Sequence, residues 1–248
     1  MKSIYLFFAF SFFFLSCAEQ QKEIQSKIEN QEETVERLNE TPAKFGIALH
    51  GGAGVIRKEN MSDSLQKVYE AKLEEAIRVG HEILAKGGKA EEAVMRTINV
   101  LEDSPLFNSG KGAVFNAEGI NELDASIMHG GSLNAGAVAG VTTVKNPINL
   151  AFEIMVNSEH VLLSGKGAET FAKMQGLELV ENEYFHTEGR KASLQRSKES
   201  EETAFYFKDE LLQNDKYGTV GCVALDQDGN LVAGTSTGGM TNKKYGRI

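Results

Sequence analysis

Positive charge is scarce in this 248-residue chain, where 26 Lys and Arg stand against 35 Asp and Glu and give a net charge of −9. A nucleic-acid-binding surface needs clustered Lys and Arg, so this balance argues against a nucleic-acid partner. The five histidines are widely spaced, and neither a His-Glu-x-x-His motif nor a paired-Cys motif occurs. The pattern therefore gives no sign of a transition-metal site.

The chain lacks an apolar run long enough to serve as a spanning helix at its start. The N-terminal apolar segment falls short of the roughly 20 residues that a spanning helix needs, and residues 1–16 are predicted to be a secretory signal peptide. Leu15-Ser16-Cys17 resembles a bacterial lipobox, in which the cysteine becomes the lipidated first residue of the mature protein. An ordinary cleaved signal is the alternative. The lipobox predicts an exported, lipid-anchored membrane protein that faces the periplasm or the outside. Residues 17–43, charged and rich in Gln, are predicted to be a polar spacer.

Cysteine is nearly absent, since Cys222 is the only one besides Cys17. An intrachain structural disulfide is excluded if Cys17 carries the lipid. Cys222 lies inside the apolar run V-G-C-V-A-L, which predicts a small buried side chain. No nearby His could act as its base, so Cys222 is rejected as a nucleophile.

Apolar spacing predicts a folded domain that begins near residue 44. Turn residues separate its elements, and the Asp-Gly pair at 228–229 indicates a hairpin. Strands are predicted over 45–50, 122–128, 135–144, 161–165, 219–226 and 231–236, and helices over 62–85, 90–101, 146–156 and 168–174. The layout indicates sheets covered by helices. Residues 182–217 lose this pattern and are predicted to be a long, mobile polar linker.

Two glycine-rich motifs suggest a serine esterase, but the chain order excludes one. G-T-S-T-G at 234–238 matches the nucleophile elbow, and H-G-G-A-G at 50–54 resembles an esterase oxyanion loop. An α/β-hydrolase needs an acid and then a His after its serine. Only twelve residues follow Ser236, and none is Asp, Glu or His. H-G-G-A-G also lacks phosphate-loop spacing, and a structural glycine turn is the better interpretation.

The Gly218-Thr219 junction has a more specific chemical meaning. A chain cut there would expose a threonine that carries both a hydroxyl and a free α-amino group. An α-amine titrates at about 7.7–8.0, so it can act as the base for its own hydroxyl near neutral pH. The cut can be autocatalytic, with the Thr219 hydroxyl attacking the Gly218 carbonyl. The alternative is that Thr219 is an ordinary β-branched residue at the start of a strand.

Several segments in order resemble the plant-type L-asparaginase/isoaspartyl peptidase family of N-terminal-nucleophile hydrolases. They include F-G-I-A-L-H-G-G-A-G, L-E-D-S-P-L-F-N-S-G-K-G, V-K-N-P-I-N-L-A, Y-G-T-V-G-C-V-A-L-D and T-S-T-G-G-M-T-N-K. The resemblance implies an α+β fold, a four-layer αββα sandwich. It also implies a precursor cut before Thr219 into an α-subunit part (44–218) and a β-subunit part that starts at 219–248, with a dimer of αβ units as the assembly.

The resemblance also assigns roles to residues. Thr219 matches the nucleophile, Thr237 the threonine that hydrogen-bonds around it, and Asn108 the asparagine that orients it. Arg247 matches the arginine that holds the substrate α-carboxylate, with Gly238 also at the substrate. The implied substrates are L-asparagine and isoaspartyl dipeptides, hydrolysed without a catalytic cofactor. A structural sodium ion is implied as well, held by the backbone carbonyls of Leu101, Glu102, Ser104, Phe107, Ser109 and Lys111.

The sequence departs from the family pattern after Gly246-Arg247-Ile248, where the family continues with a Gly-Asp step and a later Thr-Gly segment. These would bind the substrate amino group and form the oxyanion hole, and the loss of one oxyanion donor costs about 10²–10³ in rate. Two hypotheses follow: an amidohydrolase that needs the missing part, or a non-catalytic lipoprotein or inactive truncated fragment.

Overall fold

The computed structural model describes residues 44–52, 61–204 and 218–248, with only the backbone described at 202–204. These residues belong to one compact unit, Lys44–Ile248. The predicted signal peptide, the lipidation site Cys17 and the spacer lie outside the described residues. Within the described ranges, none of the helices has both the length and the apolar character needed to cross a membrane.

The described residues form six strands, five α-helices and one 3-10 turn. The strands are β1 (Gly46–His50), β2 (Leu123–His129), β3 (Ala135–Val141), β4 (Leu162–Ser164), β5 (Val220–Leu225) and β6 (Leu231–Thr237). The helices are α1 (Asp63–Ala85), α2 (Ala90–Glu102), α3 (Pro147–Asn157), α4 (Gly165–Met174) and α5 (Glu188–Ala204), and the 3-10 turn is Asn182–Phe185. Ser62 caps α1 by accepting a hydrogen bond from the Leu65 N–H at 3.3 Å.

The strands form one sheet in the order β1-β5-β6-β2-β3-β4. Only the β3–β4 pair is parallel, and the other four pairs are antiparallel. The predicted hairpin is confirmed, because β5 and β6 pair from Val220–Ser236 to Leu225–Leu231 around the Asp-Gly turn. This hairpin places the start of β5 and the end of β6 side by side near the middle of the sheet.

One face of the sheet carries the core. Helix α2 packs on β5 and β6, and α3 packs on β2 and β3. Residues of alternate position along the strands are buried against these helices, as the pleat requires: Ile127, Val220, Cys222, Ala224 and Val232. Their neighbours on the opposite face are exposed: Ala48, Ser126, Met128, Val223, Leu231, Ala233 and Thr235. The chain is therefore a mixed α/β unit with helices on one sheet.

Strand β3 is shorter than predicted, since it ends at Val141 rather than at residue 144. Gly140 adopts a φ of 63°, which bends the chain out of the strand. The N–H groups of Thr142 and Thr143 then donate to the Glu169 carboxylate, at 2.7 and 3.2 Å, instead of to a neighbouring strand.

The structure differs from the predicted mobile linker in the first part of 182–217. Residues 182–185 form the 3-10 turn, with Phe185 fully buried, and α5 follows. Arg190 ties this segment to the body by donating from Nε to the Gly112 carbonyl at 2.8 Å. Helix α5 has few apolar residues, such as Leu194, so its sequence has no apolar periodicity that would predict it. Residues 205–217, the rest of the predicted linker, lie outside the described residues.

Candidate active site

The end of the β5–β6 hairpin brings Thr219 and Thr237 together. Thr219 immediately precedes β5, and Thr237 is the last residue of β6. The Thr219 hydroxyl donates to Thr237 Oγ1 at 3.1 Å, and the Thr237 hydroxyl donates to the Gly218 carbonyl oxygen at 2.9 Å. A chain of hydroxyls thus runs from Thr219 to the carbonyl of the residue before it.

Asn108 is the second donor to the same carbonyl. Its Nδ2 donates to the Gly218 oxygen and to the Gly239 oxygen, each at 2.8 Å. Its Oδ1 accepts from the Val114 N–H at 2.9 Å, and its backbone carbonyl accepts from Gly238 at 3.2 Å. Because every polar atom of this side-chain amide has a partner, its orientation is held.

The Gly218 carbonyl is therefore polarised by two donors while a hydroxyl lies on the next residue. Nucleophilic attack on this carbon would place negative charge on the Gly218 oxygen. The two donors already point at that atom, which is the arrangement that stabilises an oxyanion. The described residues thus place two hydrogen-bond donors on the Gly218 oxygen and a hydroxyl on the neighbouring Thr219.

The Gly238-Gly239 turn completes this part of the site. A Cβ on Gly238 would lie 2.7 Å from both Ala113 Cβ and Asn108 Oδ1, so the close packing requires glycine. Gly239 has a φ of 77° and donates its N–H to Thr237 Oγ1 at 3.0 Å. Predicted residue Gly238 thus lies directly beside Thr237 and Asn108.

The structure also brings the predicted substrate residue Arg247 towards this turn. Its Nη1 lies 3.5 Å from the position that a Cβ on Gly239 would take, and the residue is exposed. The predicted glycine turn H-G-G-A-G is described only as far as Gly52.

Sequence reasoning missed Lys243, a fully buried cation beside Gly239. Lys243 Nζ donates to the Glu122 carbonyl at 3.0 Å and lies 3.6 Å from Asp124 Oδ2.

Glu102 is a second residue whose side chain the sequence did not predict, because the resemblance implied a role only for its backbone carbonyl. Its carboxylate is fully buried. Four groups donate to it: Ser236 Oγ at 2.7 Å, the Ile148 N–H and Asn146 Nδ2 at 3.1 Å each, and Asn99 Nδ2 at 3.3 Å. Burial raises the pKa of Glu102 to about 7, against the lowering effect of these hydrogen bonds. One signal was available: Glu102 follows Ile98 by four residues, on the buried face of α2.

The six residues predicted to hold sodium lie together in the turn from α2 into the following loop. The Glu102 carbonyl accepts from the Lys111 N–H at 2.7 Å, which closes the loop on itself. The carbonyl oxygens of Phe107 and Pro105 crowd Gly112, where a Cβ would lie 2.4 and 2.7 Å from them. Sodium binding by these carbonyls stays a prediction. The described ranges contain no cluster of three or more His, Cys, Asp or Glu side chains that could hold a metal.

Two residues rejected as nucleophiles are indeed buried. Cys222 is a buried free thiol, and burial raises its pKa to about 12. Ser236, the centre of the G-T-S-T-G match, has no solvent exposure and donates to Glu102. Neither group is placed to attack a substrate.

Fold and site together define a mixed α/β protein whose candidate nucleophile is a threonine hydroxyl at the start of a central strand. A family model described as asparaginase matches residues 43–248, and the chain belongs to this family. It is 44% identical over 206 residues to the isoaspartyl peptidase of Escherichia coli, covering 83% of the chain and 64% of that protein. It is 42% identical over 214 residues to the plant-type L-asparaginase of Pyrococcus abyssi, covering 82% of the chain and 66% of that protein.

A vertebrate relative is similar to the same part of the chain. The isoaspartyl peptidase/L-asparaginase of Xenopus laevis is 42% identical over 203 residues, covering 82% of the chain and 62% of that protein. The chain therefore spans 62 to 66% of the length of these three relatives.

Proposed function

We propose that the complete protein is an amidohydrolase that releases aspartate from L-asparagine, from isoaspartyl dipeptides, or from both. The observation that carries the proposal is the Gly218 carbonyl, which accepts hydrogen bonds from Asn108 at 2.8 Å and Thr237 at 2.9 Å beside the Thr219 hydroxyl. The names of the relatives, isoaspartyl peptidase and L-asparaginase, supply the substrate class.

The first step is cleavage of the chain by itself. Thr219 Oγ attacks the Gly218 carbonyl carbon, its proton passes to the Thr219 nitrogen, and the bond from that carbon to the nitrogen breaks. An ester forms between Gly218 and the Thr219 hydroxyl, and water hydrolyses it. The products are a carboxylate on Gly218 and a Thr219 with free hydroxyl and α-amino groups. Residues 44–218 then form the α part, and the β part begins at Thr219.

The second step is amide hydrolysis by the new N-terminus. The α-amine, which titrates near 7.7–8.0, takes the hydroxyl proton as Thr219 attacks the side-chain carbonyl of the substrate. Ammonia leaves from asparagine, or an amine from an isoaspartyl dipeptide, and water releases aspartate from the acyl-enzyme. Arg247 is proposed to bind the substrate α-carboxylate through its guanidinium fork.

The proposal extends to the architecture. We infer a four-layer αββα sandwich, in which a second sheet covers the exposed face of the sheet described above. Support comes from the small and apolar side chains on that face, such as Ala48, Val223 and Ala233, because an uncovered apolar sheet face is unusual in a stable domain. A dimer of αβ units and a structural sodium in the loop after α2 belong to the same proposal.

For the N-terminus we propose export and lipid attachment at Cys17, supported by the apolar segment and the Leu15-Ser16-Cys17 sequence. A Cys17→Ala variant should then be released from the membrane fraction. Membrane partitioning that matches the parent would contradict the anchor.

The decisive experiment expresses the complete gene product and its Thr219→Ala variant. The parent should give two chains on a denaturing gel, with the shorter one beginning at Thr219 by mass spectrometry, and should release aspartate from asparagine or from an isoaspartyl dipeptide. The variant should stay one chain. A parent that remains uncut and releases no aspartate would refute the proposal and favour the non-catalytic alternative.

A further inference from the structure

The sequence neighbours of Asn108 and Thr237, the two donors to the Gly218 carbonyl, belong to a buried network of three side chains: Ser109, Ser236 and Glu102. Ser109 follows Asn108 in sequence, and Ser236 precedes Thr237. Ser109 Oγ donates to Ser236 Oγ at 3.0 Å, and Ser236 Oγ donates to Glu102 Oε1 at 2.7 Å. Ser109 and Ser236, the sequence neighbours of the two donors, are thus hydrogen-bonded to each other, and Ser236 is also hydrogen-bonded to the Glu102 carboxylate.

All three side chains are inaccessible to solvent. A buried polar group that loses its partner cannot replace it with water, so these hydrogen bonds strongly favour one arrangement. The Glu102 carboxylate also accepts from Asn146 and from the Ile148 N–H at the start of α3, each at 3.1 Å. The hydrogen bonds of this network therefore hold together helix α3, the loop after α2 and strand β6.

This arrangement can set catalytic geometry without contacting a substrate. Successive side chains of a strand point to opposite faces of the sheet, so Ser236 faces the helices, away from the side of Thr237. Ser236 also pairs with Val220, the residue after Thr219, in the strand register. A shift of β6 relative to the loop would move Thr237 and Asn108 independently, and a misplacement of about 1 Å can cost on the order of 10²-fold in rate.

The same strand supplies a matched control. Thr235, one residue before Ser236, shares a hydroxyl–hydroxyl hydrogen bond of 2.9 Å with Ser126 on the opposite, exposed face of the sheet. This pair resembles the Ser109–Ser236 pair in chemistry and in strand position, but it has no carboxylate behind it among the described contacts and no sequence neighbour that donates to Gly218.

We propose that Ser109, Ser236 and Glu102 are positioning residues that hold Asn108 and Thr237 on the Gly218 carbonyl and so determine the rate of self-cleavage. This inference rests on the proposed function and goes beyond it, because it assigns side-chain roles to residues that do not touch the reacting atoms.

The test measures the rate at which a chain beginning at Thr219 appears after pulse-labelled cell-free translation of the complete gene product. Ser236→Ala should slow cleavage by about tenfold or more, while Thr235→Val, which loses a hydroxyl with little change in shape, should cleave at the parental rate. Ser109→Ala should slow cleavage too. The double variant Ser109→Ala/Ser236→Ala should be no slower than Ser236→Ala alone, because both changes break one network.

The possible results distinguish a failure of this inference from a failure of the proposed function. If the parent is not cut, the proposed function fails and this inference fails with it. If the parent is cut and folded Ser236→Ala and Ser109→Ala are cut at its rate, only the inference fails. If Ser236→Ala does not fold, Ser109→Ala decides, because it leaves the Ser236–Glu102 bond in place. If the double variant is slowed by the product of the two single-variant effects, Ser109 and Ser236 act independently. That result would contradict the inference that they form one positioning network.

Discussion

The Asp226 carboxylate joins the hairpin turn to the start of α2. It accepts from the Ala90 N–H at the start of α2 at 3.2 Å, and from the Asp228 and Asn230 N–H groups in the hairpin turn at 3.0 and 2.9 Å. Burial raises the pKa of Asp226, but the hydrogen bonds from Asn230, Ala90 and Asp228 outweigh it and lower the pKa below its ordinary 3.8.

We expect Asp226→Ala to lower the free energy of unfolding at pH 7 by about 1–3 kcal/mol, because buried donors lose their acceptor. A carboxyl whose folded pKa is lowered stabilises the fold above its unfolded pKa, and loses this effect as pH falls through the folded pKa. Urea unfolding should therefore show a difference between parent and variant that shrinks below pH 3.8. Asp228→Ala, which removes an exposed ion pair with Lys89, should lower the free energy of unfolding less than Asp226→Ala does, because solvent screens exposed ion pairs. Equal losses for the two variants would contradict this account.

The Cys222 thiol should be unreactive in the folded protein. Burial raises its pKa to about 12, so almost no thiolate forms at pH 8, and the sulfur is also inaccessible to reagents. In a Cys17→Ser background, iodoacetamide should modify Cys222 only after denaturation. Mass spectrometry of samples treated before and after urea checks this. Rapid modification of the native protein would show that β5 is not packed against α2 as described.

Motif similarity predicted candidate residues that lie close together, but it did not predict the contacts between them and their surroundings. Thr219, Thr237 and Asn108 were predicted from the sequence, and the structure brings these three together around one carbonyl. The side chains of Glu102 and Lys243 were not predicted. Glu102 meets Ser236 across 134 positions of sequence, and Lys243 meets Glu122 across 121. No local pattern records such pairings, because only the closed sheet creates them.

At the scale of elements, β3 and α3 approach each other unusually closely at Gly136. A Cβ there would lie 2.0 Å from the Ala151 carbonyl oxygen and 2.6 Å from the Met155 nitrogen, both backbone atoms of α3. Gly136→Ala must therefore push the helix from the sheet, and we expect a loss of about 1–3 kcal/mol or more in the free energy of unfolding.

Gly167 in α4 is the matched control for Gly136. A Cβ on it meets no atom within 4 Å, so Gly167→Ala should be neutral or stabilise by about 0.5–1 kcal/mol through helix propensity. Urea denaturation of both variants against the parent measures the difference. A Gly136→Ala variant as stable as Gly167→Ala would mean that α3 can move away at no cost.

The bounds of helices and strands whose sequences have an apolar pattern were predicted to within a few residues. Elements without such a pattern, such as helix α5, were not predicted. Helices α1 to α3 each have a side that is buried against the sheet or a neighbouring helix, and the spacing of their apolar residues records it. Helix α5 is rich in charged and polar residues, and its sequence has no apolar periodicity. Its helix-forming Glu, Lys, Gln and Arg residues were the available signal, but a composition of this kind is shared by solvated linkers.

At the scale of the whole molecule, the sheet separates two environments. Its helix-covered face contains the core and the Glu102–Ser236–Ser109 network, whereas its other face exposes small and apolar side chains. Thr219 and Thr237 lie at the end of the central hairpin that is opposite its turn. The proposed sandwich would place a second sheet on the exposed face and enclose this end of the hairpin, which would exclude water from the reacting carbonyl.

A cysteine at Ala233 tests whether that face is covered in the complete protein. Ala233 is exposed in the described chain, so Ala233→Cys should be labelled quickly if the face is open and slowly if a second sheet packs on it. In a Cys17→Ser background, with Cys222 buried, we expect labelling of Ala233→Cys at least roughly tenfold slower than labelling of Glu74→Cys, because reaction then requires local opening. Glu74 lies on α1 with 67% of its side chain exposed. Equal rates at the two positions in the folded, complete protein would rule out the second sheet, and with it the four-layer arrangement.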